Sequence, residues 1–140
     1  MMAEVIVHSA DAIIGRAFRD QLTDIGELTE KSSPVTIQGT VGRIELRELR
    51  DEVALLCSIF VKDKTGSVPC KCFLSCRHHN NGREEIGSIT EEDKAAVMNK
   101  VNRIAIGMTV IVRGECTYDI DTGEPNILVR DLAGVEKKTP

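Results

Sequence analysis

Between Val35 and Val41 apolar residues fall on every second position, at Val35, Ile37, Gly39 and Val41. That is the period of a strand with one face buried. Beyond Gly42 the apolar positions are Ile44 and Leu46, so the inward parity has moved by one. A β-bulge at a glycine does this, since one extra residue flips the facing and bends the strand. The first strand is therefore predicted to be long and bent, beginning after Pro34, where a missing N–H does least harm. A second strand over 53–62 turns Cys57, Ile59 and Val61 inward, and a third carries Val68, Cys70, Cys72 and Leu74 on one face. Lys64-Thr65-Gly66-Ser67 between them is a hairpin turn, with Gly66 placed for a positive φ.

After a polar loop over 75–88 the period changes. Val97, Val101 and Ile104 are spaced i, i+4, i+7, one buried stripe of a helix. Thr90 suits the N-cap, Glu91, Glu92 and Asp93 suit the positive end of the dipole, and Asp93 sits where a capping-box acid belongs. Lys100 and Arg103 occupy the last turn, where positive charge is favoured. Past Gly107 a fourth strand places Val110, Val112, Cys116 and Tyr118 on one face, Asp121-Thr122-Gly123-Glu124 turns the chain, and a fifth strand covers 126–132.

Three strands, a helix and two strands, with a bent glycine-containing first strand, predict an all-β fold with one helix: a five-stranded OB-fold barrel in the order β-β-β-α-β-β. The competing expectation is another small α+β or β-barrel domain. Residues 1–33 form a lead-in, with short apolar runs at Val5-Ile6-Val7 and Ile13-Ile14 and a polar, linker-like stretch over 20–33. The OB-fold nucleic-acid-binding domain spans 34–133, and 134–140 is a tail or linker.

Several segments resemble one family. The runs Gln38-Gly39-Thr40-Val41 and Glu45-Leu46-Arg47-Glu48-Leu49-Arg50 resemble the opening of the OB domain in PolC-type DNA polymerase III α subunits. Asp63-Lys64-Thr65-Gly66-Ser67 with Cys70-Lys71-Cys72-Phe73 is similar to its next hairpin, and Gly107-Met108, Val112-Arg113-Gly114 and Tyr118-Asp119 to its fourth strand. Ile14-Gly15-Arg16 resembles the segment before the barrel. The departures are Asp51-Glu52 for a Ser-Gly turn, a longer loop over 75–88, and Ile111 and Glu115 for two lysines, which leaves one face less basic. The resemblance implies a single-stranded-DNA-binding module of a bacterial replicative polymerase. The parent would carry out DNA-templated synthesis with 3′–5′ exonuclease proofreading and use Mg²⁺, while the fragment itself would hold no catalytic carboxylates and no cofactor. The implied partners are single-stranded DNA, bound weakly, and neighbouring polymerase domains.

Composition bears on this. Of the charged residues 22 are acidic and 18 basic, a net charge of −4, whereas autonomous nucleic-acid binders carry a basic excess. The acidic balance favours a second reading, an inter-domain or replisome protein-interaction module with little DNA contact. A third, an anticodon-binding type OB domain, predicts preference for structured RNA. No stretch approaches the roughly 18–20 apolar residues of a membrane span, and the N-terminus lacks the pattern of a secretory signal, so a cytoplasmic location without membrane contact is expected.

Aromatic residues are only 3% of the chain, so an outward-facing Phe is informative. On the parity above Ser58, Phe60, Lys62, Lys71 and Phe73 face outward from the second and third strands, where OB folds present a stacking platform. Rings stack on bases and ammonium groups track phosphates. Arg47 and Arg50 extend the track, and Arg113 joins it from the fourth strand. The alternatives stay open: either Phe can pack beneath the lead-in or the long loop, and Arg47 can pair with Glu45 or Glu48. Cys70, Cys72, Cys76, His78 and His79 are zinc-type ligands, but Cys70 and Cys72 lie on a strand facing the core, which suits reduced core thiols better. No Gly-x-Ser-x-Gly elbow, phosphate-binding glycine loop or paired-carboxylate motif supports catalysis.

Overall fold

The alternating segments become strands where expected, and the lead-in adds more. The computed structural model describes residues 4–8, 11–29, 34–48, 54–75, 79–80, 83–84 and 91–135. The lead-in contributes β1 (Glu4–Val7), β2 (Ala12–Ile14), β3 (Phe18–Gln21) and a 3-10 turn, Ile25–Glu27. There follow β4 (Val35–Glu48), β5 (Ala54–Asp63), β6 (Gly66–Ser75), the short β7 (His79–Asn80) and β8 (Arg83–Glu84), α1 (Glu91–Asn102), β9 (Thr109–Tyr118) and β10 (Pro125–Val135).

β4 organises the sheet because its two halves have different partners. Its first half pairs antiparallel with β9, from Val35↔Gly114 to Thr40↔Thr109, and its second with β5, from Thr40↔Lys62 to Glu48↔Leu55. The register slips between Val41 and Arg43, so Gly42 is the bulged residue that the parity change predicts. At the bend Val41 is tied to the segment after α1: its N–H donates to Met108 O (2.9 Å) and its carbonyl accepts from Gly107 N–H (2.7 Å).

The main sheet runs β2-β10-β6-β5-β4-β9, with β9 also paired to β10. β6 and β10 are parallel and meet over only two register pairs, Ile127↔Cys70 and Leu128↔Lys71, so the cylinder is partly open at this seam. Among the described residues six strands share the sheet, since β2 adds to β10 at Leu132↔Ile14 and Ala133↔Ala12. At two crossings the strands approach too closely for a side chain: a Cβ on Gly39 would strike the Lys62 carbonyl, and one on Gly114 the Leu128 carbonyl. No helix among the described residues is long and apolar enough to cross a membrane.

The inward sets of the first three strands, the helix stripe and Val110, Val112 and Cys116 form one core, with Ile37, Ile59, Val61 and Ile127 fully buried. Leu46 follows the inward parity yet is exposed, because this half of β4 runs past the start of β9 and no described element covers it. Thr90 and Asp51-Glu52 lie outside the described residues.

The described part of the stretch expected to be a linker is packed instead. Ile25 and Leu28 are buried in the main core, and the Tyr118 hydroxyl donates to Leu28 O (3.3 Å). The β1–β3 hairpin covers the outer side of β9 and β10, where Val7, Phe18, Ile111 and Ala133 form a second cluster. The β5–β6 turn also differs from expectation, for Gly66 does not take a positive φ. The Asp63 carboxylate shapes it: Oδ1 accepts from Thr65 N–H (2.7 Å), Gly66 N–H (3.1 Å) and the Thr65 hydroxyl, and Oδ2 from Ile25 N–H (3.0 Å).

One carboxylate therefore joins the hairpin to the lead-in. Partial burial pushes the Asp63 pKa up, but the hydrogen bonds from Ile25, Thr65 and Gly66 outweigh it and hold the group below its usual value. A depressed carboxylate stabilises the fold above its unfolded pKa, and that contribution is lost as pH falls through the folded one. Asp63→Asn is expected to lose roughly 1–2 kcal/mol at neutral pH and to show a flatter decline in stability below about pH 4. Urea unfolding of both proteins across that range measures it, and parallel acid profiles would refute the latch.

Candidate nucleic-acid interface

The antiparallel registers of β4, β5 and β6 arrange the outward side chains in rows. Arg43, Phe60 and Pro69 form one row, Glu45, Ser58 and Lys71 the next, and Arg47, Leu56 and Phe73 a third, with Lys62 beyond the bulge beside Ser67. β10 extends the middle row, since Leu128 pairs with Lys71 and is also exposed. Phe73 is 58% exposed and stands in solvent, the outward one of the two placements left open for it. Phe60 is half-buried, and the Arg43 guanidinium lies over its ring, 5.4 Å from the centroid. Four residues of β6 separate the two aromatic rows, about 13 Å along the strand. At that spacing the two rings are too far apart to clamp one base between them.

Arg43, Arg47, Lys62 and Lys71 share this face with one carboxylate of the rows, Glu45, and Arg43 pairs with it. Glu45 is thereby taken by Arg43 rather than Arg47. Asp119, at the β9–β10 turn, adds a second negative charge. Hydrogen bonds from Asp121 and Thr122 N–H, and to a lesser extent the nearby Lys71 ammonium, hold its carboxyl below the usual range against a small opposing effect of burial. The face is locally basic although the whole chain is acidic.

Of the residues expected here, Arg47, Phe60, Lys62, Lys71 and Phe73 come together on one surface. Arg113 does not. It faces outward from β9 under the lead-in, with its guanidinium 5.7 Å from the centre of the Phe18 ring and Nε 3.9 Å from Asp20 Oδ2. Arg50 lies outside the described residues. Arg43 is the residue that sequence reasoning missed, and the signal was present: the bulge at Gly42 places it outward with Glu45 and Arg47.

The four described thiols are buried. Cys57, Cys70 and Cys72 are fully buried, with Cys57 directly opposite Cys72. Burial, with a smaller effect of Cys57, pushes the Cys72 thiol up to about 12, and burial followed by Cys72 pushes Cys70 higher still. Zinc binds the thiolate, which such surroundings oppose. Among the described residues no group of three or more His, Cys, Asp or Glu is placed to hold a metal. Cys76 and His78 lie outside them, and of His79 only its place in β7 is described.

No protein-family model matches the chain. It is 29% identical over 127 residues, 91% of its length, to the PolC-type DNA polymerase III of Clostridium perfringens, of which it spans only 8%. In structure it is similar to the second OB-fold domain of replication protein A from Methanococcus maripaludis, with a TM-score of 0.50 and 19% identity over 84% of this chain and 98% of that one. It is also similar to an OB domain from Thermoplasma acidophilum, with a TM-score of 0.54 and 12% identity over 85% and 91%. The fold is thus the OB fold, and the likeness to a PolC-type polymerase that the sequence suggested extends over nearly the whole chain.

Thiol titration checks the core placement. Cys57, Cys70 and Cys72 are expected to resist a water-soluble disulfide reagent in the native protein and to react once denaturant opens the barrel. Rapid labelling of any of the three in the folded chain would contradict it.

Proposed function

We propose that this OB domain binds single-stranded DNA across the outer face of β5, β6 and the second half of β4, as a module of a PolC-type bacterial replicative polymerase. The observation that carries the reading is Phe73, a large ring more than half exposed and set among Lys71, Lys62 and Arg47. A ring in water loses the stabilisation of burial, and base stacking recovers it without regard to sequence. The flanking cations then follow the phosphates. On this reading DNA-templated synthesis, 3′–5′ proofreading and the Mg²⁺ they need belong to other parts of a cytoplasmic parent chain, and the module guides the strand.

The net charge of −4 favours a second reading, in which the same face docks on a neighbouring polymerase domain or replisome protein. Salt separates the two. Neutralising phosphates on a single strand gives a slope of about −0.7 per contact in log K against log salt, so four cations set a limit near −3.

Binding of a short labelled oligothymidylate, followed by fluorescence anisotropy at low and moderate salt, is expected to be weak and salt-sensitive. Phe73→Ala should weaken it by about 1–3 kcal/mol. Phe60→Ala should cost less, because Arg43 already occupies the ring. Unchanged affinity in the folded double variant would remove this face as the site.

A further inference from the structure

A second concavity lies around the barrel from the stacking face. In β10 the register with β9 slips between Val129 and Asp131, so Arg130 is the extra residue of a bulge. Opposite it the lead-in turns at Gly15, whose φ of 78° opens the chain. Gly15, Arg16, Ala17, Arg113, Arg130 and Asp131 line the resulting cleft of about 510 Å³. Bulges re-aim side chains in this way beside binding sites.

Three guanidinium groups, of Arg16, Arg113 and Arg130, meet at the cleft, with the Asp131 carboxylate in its lining and Asp20 and Glu115 beside Arg113 and Arg130. Arg113 Nε is buried and makes no hydrogen bond, its nearest carboxylate oxygen, Asp20 Oδ2, being 3.9 Å away. The guanidinium of Arg16 meets no acceptor among the described residues. Arg130 gives one hydrogen bond, Nη2 to Glu115 Oε1 at 2.7 Å. Each of the nearby carboxylates already accepts at least one hydrogen bond. Asp131 Oδ1 accepts from Arg16 N–H (3.0 Å), Asp20 Oδ2 accepts from the Thr36 hydroxyl (2.8 Å), and Glu115 holds Arg130. An unpaired buried donor points to a missing acceptor. Forked guanidinium groups match the oxygens of a phosphate.

We propose that this cleft is a phosphate-binding site, with Arg16, Arg113 and Arg130 supplying the hydrogen bonds. Two sources offer the same chemistry, the backbone of a single strand and a terminal or free phosphate. The first is favoured by continuity, since Leu128 sits beside Lys71 on the stacking face and Arg130 follows two residues along β10. Only that source rests on the DNA reading; the phosphate site stands without it.

The test follows the Arg113 Nε–H signal by NMR in the ¹⁵N-labelled full chain, assigned through its loss in Arg113→Lys. Inorganic phosphate is expected to shift it saturably, whereas chloride at matched ionic strength and acetate should not. The double variant Arg16→Ala, Arg130→Ala should weaken phosphate about tenfold. No shift, an equal shift with chloride, or saturation by acetate overturns the assignment, the last in favour of a carboxylate partner. Oligothymidylates with and without a 5′-phosphate separate the sources. Weaker binding of both by the double variant means the backbone, and an effect confined to the phosphorylated one means a terminal group. The phosphate shift should persist in Phe73→Ala, so failure of the stacking face and failure of the cleft are read independently.

Discussion

One strand bonded to two partners is the constraint on which this barrel depends. β4 satisfies β9 with its first half and β5 with its second, and a strand can serve both only by bending. The bend falls between Val41 and Arg43, where one residue is extra and where Val41 turns its backbone groups to Gly107 and Met108. The segment leaving α1 is thereby anchored where the sheet changes direction, which delivers the Val97, Val101 and Ile104 stripe to the core. The same extra residue sends Arg43, Glu45 and Arg47 outward beside β5. Curvature and surface chemistry have a common origin.

That surface shows how local charge can oppose the balance of a whole molecule. At physiological salt the Debye length is about 8 Å, so the potential over β5 and β6 is set by the groups within that reach. Arg43, Arg47, Lys62 and Lys71 lie on this face against two carboxylates, Glu45 in the rows and Asp119 near Lys71. A formal charge of −4 is then a property of the chain that this face does not share.

Much of the barrel was legible because period-two burial is a local property. Val35, Ile37 and Val41, then Cys57, Ile59 and Val61, then Val68, Cys70 and Cys72 are buried as their alternation required, and the bulge was visible as a change of parity. The lead-in was not legible. Val7 and Phe18 find their partners in Ile111 and Ala133, at the other end of the chain, and three- or four-residue strands carry too little pattern to announce themselves. The β5–β6 turn was assigned to a glycine when an Asx-type turn at Asp63 does the work, a choice that residue type alone leaves open. Arg113 could be placed on its strand but not beneath the lead-in, because the contact with Phe18 exists only in three dimensions.

The glycine crossings at Gly39 and Gly114 bear on where any guest can be received. Strands drawn together until a carbonyl occupies the room of a methyl group enclose a bore of small radius, and fully buried side chains such as Ile37, Ile59 and Leu132 occupy it. Larger barrels keep a lumen and hold their ligands inside. This one has spent its interior on holding its own shape, so whatever it recognises must be met on its rind.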